Sequence, residues 1–186
     1  MQLPDTAMNS GEILTRLAMW ITLGAYGLGA TLFWATPGRQ RLDRYARLLW
    51  TLGCLTMLAH VAFAIHFYHG WHHDSIVRET ARQTAEVFGV YWGGGVYFNY
   101  LLLLGWAADT FSWWAGGLAA YRRRAPSRTA LWHGFLLFMF FNATVVFKTG
   151  FLRWLGLALC TALAVFWWRA ATGRHVAGAF SPQETH

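Results

Sequence analysis

Five of the chain's eight histidines fall within fifteen residues, His60-Val-Ala-Phe-Ala-Ile-His66-Phe-Tyr-His69-Gly-Trp-His72-His73-Asp74. Read as one helix, His66, His69 and His73 stand at i, i+3 and i+7 and share a face. His69 and His73 are at i, i+4, a spacing that lets two imidazoles reach one metal ion. His72 adjoins them. Asp74 fits as an oxygen ligand, or as the group that holds a ligating imidazole by its other ring nitrogen. His60 lies six residues before His66 and on another face, so it serves a cofactor only if a second helix brings it a partner. Imidazole-rich sites suit zinc, copper, iron or a haem, and the spacing does not choose among them. The competing reading is interfacial: a histidine at a membrane surface packs its body and keeps its edge wet. Such histidines also meet lipid headgroups, and Gly70 can break the helix on which the shared face depends.

The segment His69-Gly-Trp-His72-His73 resembles the His-x-x-His-His box of membrane fatty-acid desaturases and hydroxylases. Those enzymes use several such boxes to hold two irons. Here there is one box, the other histidines are few and scattered, and it falls on the wrong side of the membrane. The likeness covers five residues, and the activity is not expected to follow.

Asp109 is the one carboxylate deep inside an apolar run. A charge near mid-membrane costs about 2.5–3.5 kcal/mol on insertion scales, so it faces a bundle interior and takes a partner. His133 opens the next apolar run at comparable depth. The two are read as a proton-relay pair or as a structural polar pair, with a hydroxyl, indole or amide holding the carboxyl. Asn99 and Asn142 are placed to hydrogen-bond across the third and fourth helices.

The elements that carry these residues follow from composition. The chain of 186 residues is 56% hydrophobic and only 12% charged, against about 25% charged in a soluble domain. Apolar runs at about 13–35, 46–68, 91–116, 130–147 and 151–169 predict five transmembrane helices. The fold class expected is all-α, an integral membrane bundle forming one domain over 1–186. Between the second and third helices, residues 74–89 read as a short amphipathic helix: Val77, Ala81, Ala85 and Phe88 recur at helical spacing. Asp74 or Ser75 is expected to cap its start, Arg82 and Glu86 to pair, and Gly89 to end it. Gly24, Gly27 and Gly29 in the first run, and Gly93, Gly94 and Gly95 before the third, are expected to admit a close neighbour. Thr36-Pro37-Gly38 closes the first helix. Residues 1–12 carry no Lys or Arg, unlike the start of a signal peptide, so the first helix is expected to be retained.

Charge placement orients the bundle. Arg39, Arg41, Arg44, Arg47, Arg122, Arg123, Arg124, Arg128, Arg169 and Arg174 fall on one side; Arg16, Arg78, Arg82, Lys148 and Arg153 fall on the other. The positive-inside rule puts the first set in the cytoplasm, the N-terminus outside and the histidines outside, the periplasm if the membrane is a bacterial inner membrane. This accounts for the net charge of +7 without nucleic acid. Cys54 and Cys160 sit in apolar runs and read as small packing residues. Beyond the lipid bilayer, the partners expected are other membrane proteins or a second copy. Three functions remain open: a metal or haem site for redox work or metal handling, an accessory subunit of a membrane complex, or a small proton-coupled carrier using Asp109 and His133.

Overall fold

The computed structural model describes the backbone of residues 5–35, 39–124 and 126–179, and the side chains of 10–35, 39–124 and 127–169. The turn expected at Thr36-Pro37-Gly38 and the side chain of Arg174 lie outside them. Among the described residues all regular structure is helical. The helices are α1 (Asp5–Ala35), α2 (Gln40–Ala64), α3 (His73–Phe88), α4 (Gly95–Ala115), α5 (Gly117–Arg122), α6 (Pro126–Phe141) and α7 (Gly150–Ala179). A π-helical turn extends α2 over Ile65–His69, and a second extends α6 over Asn142–Val146.

Four helices are long and apolar enough to cross a membrane: Ser10–Ala35, Gln40–His69, Ser127–Val146 and Gly150–Arg169. They have the length and composition of an integral membrane protein. The third expected span, 91–116, is not among them. Its helix, α4, has 21 residues, roughly 31 Å at 1.5 Å each, but Asn99, Asp109 and a set of Trp and Tyr lower its hydropathy.

Small residues bring α1 and α2 together. A Cβ on Gly29 would meet the Trp50 backbone nitrogen at 3.4 Å; Gly53 of α2 admits α4 instead, since a Cβ there would strike the Trp106 ring at 2.8 Å. Gly24 and Gly27 have no neighbour within 4 Å, so the expected close approach is made through Gly29 alone of the three. Gly105 leaves room for the Trp132 ring, and Gly156 for Thr144. Thr22 and Thr56 share a hydrogen bond of 2.8 Å across the α1–α2 interface.

Aromatic rings fill the space between. Trp50 and Trp113 stack at 4.6 Å with planes 6° apart. Phe33 stacks on Trp113 at 5.1 Å, and Tyr26 on Phe140 at 4.3 Å. Asn99 is exposed, and the Asn142 amide donates to the Phe138 carbonyl of its own helix. The expected bond between these asparagines is therefore not made. Asn99 stands apart from the side that α4 buries, which carries Val96, Leu102, Trp106, Asp109 and Trp113.

Helix α3 starts without the expected side-chain cap. Its first flanking residue is His72, and no side chain bonds the free N–H groups there. It ends as expected at Gly89, φ +73°, whose N–H donates to the Ala85 carbonyl at 2.9 Å. Arg82 pairs with Glu86 and also with Glu79, at 2.6 Å. The Arg82 guanidinium holds the Glu79 carboxyl down at about 2. Gly93 allows the next close crossing, because a Cβ there would sit 2.6 Å from the Val77 carbonyl oxygen.

One ion pair fastens the end of the bundle that carries the arginine clusters. Arg122 donates through both terminal nitrogens to Asp43, at 2.9 and 2.8 Å, and through Nη2 to the Phe33 carbonyl at 3.0 Å. The Phe33 carbonyl lies in the last turn of α1, where helix carbonyls lack an intrahelical donor. One guanidinium thus ties α1, α2 and α5 together, with side-chain exposures of only 13% for Arg122 and 16% for Asp43. Removing one partner leaves the other charge poorly solvated, a loss of about 3 kcal/mol. Arg122→Ala is expected to lower the unfolding midpoint in mixed detergent–SDS micelles, and the double variant Asp43→Asn/Arg122→Met to regain part of that loss. An unchanged midpoint in Arg122→Ala would show that the clamp contributes nothing.

Candidate functional site

The histidine segment is not one helix. From Ile65 the chain takes a wider π-helical turn, and the Trp71 N–H reaches back to the Ile65 carbonyl at 3.3 Å. Gly70 (φ +54°) and Trp71 (φ +65°) then adopt left-handed conformations, and α3 begins at His73. Trp71 is the sole non-glycine residue with positive φ among the described residues. That conformation is uncommon for a bulky side chain, and such strain gathers at functional sites. The face proposed for His66, His69 and His73 therefore does not form. His66 and His69 belong to the end of α2, and His73 to another helix on a new axis.

The reversal gathers a different set. His69, Trp71, His72, His73, Asp74, Ser75 and Arg78 line one open cleft of about 530 Å³. His66 is not in it, and His60 lies lower on α2 against α1. Each imidazole is tethered at Nδ1. His60 bonds the Thr15 carbonyl at 2.9 Å, and His72 the His69 carbonyl at 3.3 Å. His69 meets the Ser75 hydroxyl at 3.2 Å, and His73 the Tyr100 hydroxyl at 3.0 Å. His66 accepts from the Trp71 indole at 3.2 Å.

These partners sort the tautomers. A carbonyl only accepts, so His60 and His72 carry the proton on Nδ1 and leave Nε2 with a free lone pair. An indole only donates, so neutral His66 carries its proton on Nε2 and has no lone pair to offer there. His69 and His73 face hydroxyls, which serve either tautomer. A metal ligand needs a free lone pair and an anchored ring, and in the cleft His72 meets both conditions while His69 and His73 can. Among the described residues, however, no group of three or more His, Cys, Asp or Glu is arranged to hold a metal ion.

The second candidate place is inside the bundle. Asp109 is 9% exposed, and its carboxylate accepts from the Trp50 indole at 3.1 Å. His133 is 1% exposed, boxed by the rings of Phe33, Trp34, Trp50 and Trp167 at centroid distances of 5.6, 5.7, 5.4 and 5.3 Å. Neither of its nitrogens has a partner among the described residues. Asp109 and His133 are not hydrogen-bonded to each other; Trp50 stands between them, its N–H on the carboxylate and its ring against the imidazole.

The sequence pointed to Asp109 and His133 but not to Trp50, 59 residues before Asp109. No local spacing marks a partner so distant. Gly70, by contrast, was a visible sign that the histidine helix would break.

The tautomers are open to test. In nitrogen-15 spectra of histidine-labelled protein at a pH where the rings are neutral, His60 and His72 should report Nδ1–H, and His66 Nε2–H. A His72 signal of the opposite tautomer would remove the best-prepared donor in the cleft. No family model, curated protein or solved structure matches this chain.

Proposed function

We propose that the chain is a five-span membrane protein with its N-terminus outside and its C-terminus in the cytoplasm, and that the histidine cleft captures a transition-metal ion at the outer surface. The observation that supports this most is the anchoring of the rim imidazoles through Nδ1, which leaves His72 with a free Nε2 lone pair beside His69, His73 and Asp74. The site is not pre-assembled. Binding requires side-chain rotation at an exposed turn, which suits transient metal handling better than a permanent redox centre. Arg78 lines the same cleft, and its charge opposes a cation there, so Asp74 matters as the compensating group. A haem fits less well, because the three imidazoles come from one turn and none faces them across a gap.

The test is metal content and an optical spectrum of the purified protein, alongside His69→Ala/His72→Ala/His73→Ala. The wild type is expected to bind close to one equivalent of zinc or copper, and the triple variant to bind at least about tenfold more weakly. His66→Ala should bind as the wild type does. Equal binding by the wild type and the triple variant would sink the metal reading.

A second reading, the accessory subunit, draws on α7. Within the apolar window of its span, Gly150–Arg169, only 11% is buried. An open groove of about 690 Å³ on it is lined by residues including Trp154, Leu157, Val165 and Phe166. That reading predicts no stoichiometric metal and co-purification with a larger membrane complex.

A further inference from the structure

We propose that Val87–Trp92, the corner between α3 and α4, is an interfacial anchor that inserts into the lipid leaflet nearest the histidine cleft and holds α3 on the membrane surface. Val87, Phe88, Val90, Tyr91 and Trp92 are all exposed, from 43% for Val87 to 68% for Tyr91. Five large apolar side chains turned outward in six residues are costly in water. The remaining residue, Gly89, is left-handed and turns the chain so that the side chains fan out at a corner.

Depth is set by contacts with the bundle. The Phe88 ring meets the Phe147 ring edge-on at 6.3 Å. Phe147 directly follows the candidate span Ser127–Val146, so the corner sits at the level where that span leaves the hydrocarbon. On its other side, Trp92 meets Phe98 in the first turns of α4 at 6.4 Å. Exposed Tyr97, Phe98 and Leu101 continue the apolar surface from there along α4. The patch is therefore continuous with the outer surface of the bundle, and its Tyr and Trp are the residues that favour the headgroup level.

The corner is also held in one shape. Gly93 lies against the Val77 carbonyl, where no Cβ would fit, and the Trp92 ring lies over Gly94. A fixed corner loses little entropy on insertion. Charge attraction is not the cause, since Asp74, Glu79 and Glu86 outnumber Arg78 and Arg82 along α3. The occupant that fits is thus the acyl–headgroup boundary of a lipid leaflet, entered by apolar contact.

A nitroxide on Val90→Cys in neutral phosphatidylcholine vesicles tests this, with controls at Arg82→Cys and Leu101→Cys. Cys54 and Cys160 are buried and can stay in place, so no cysteine-free background is needed. Collision with oxygen, which concentrates in lipid, should exceed collision with a water-soluble nickel chelate several-fold at position 90, as at 101, with the reverse at 82. In Phe88→Ser/Tyr91→Ser/Trp92→Ser the label at 90 should shift to the pattern of 82, while the label at 101 does not move. Nickel access at 90 equal to that at 82 in the otherwise unaltered protein would overturn the anchor. So would poor access by both reagents, which would instead mean that a second copy or another protein covers the corner.

Discussion

The Trp50 indole joins the one buried carboxyl among the described residues to the aromatic core. A carboxyl cannot be taken out of water unless a donor comes with it, and Trp50 supplies one to Asp109 at 3.1 Å. The same ring stacks on Trp113 and touches Trp106, Tyr26 and His133. One residue of α2 therefore fixes α4 by a hydrogen bond and α1 and α6 by contact. Because the bond is directional and the stack is not, the bond sets the rotation of α4 while the stack sets only its distance. The Arg122–Asp43 clamp fastens α5 to α2 at the same end of the bundle.

His133 does not fit that logic. An imidazole whose nitrogens lack partners costs about 1–3 kcal/mol when buried, and this one sits among four rings. Those rings offer π faces rather than lone pairs, and an N–H directed at a π face recovers only part of a hydrogen bond. Asp109 and His133 look alike in the sequence, two polar residues at similar depth. The fold treats them oppositely, one given an indole donor and the other enclosed by carbon.

The helices were legible because apolar periodicity and length are local properties. The end of α3 at Gly89 was legible for the same reason, as was the tight passage at Gly93. The histidine face was not. Extrapolating i, i+3 and i+7 assumes that every intervening residue keeps the 3.6-residue pitch. A π turn inserts one residue per turn, and two left-handed residues then change the axis, so any error at 65–71 carries through to His73. The long-range partners were illegible for a different reason. Trp50–Asp109 and Asp43–Arg122 join residues 59 and 79 apart, and each is a property of packed helices with no trace in local spacing. In the sequence Asp43 stands among Arg39, Arg41, Arg44 and Arg47, and nothing marks Arg122 as its partner.

The same distinction bears on how many times the chain crosses the bilayer. Hydropathy treats a helix as if all its sides met lipid, yet a helix inside a bundle can spend one side on its neighbours. In α4 that side holds Leu102, Trp106, Asp109 and Trp113, all buried, and these include residues that depress its apolar score. Its outward side, with Leu101, Leu104 and Phe111 strongly exposed, is apolar apart from Asn99. Of the two strongly polar residues that lower its hydropathy, Asp109 is turned inward onto Trp50 of α2 while Asn99 stays exposed.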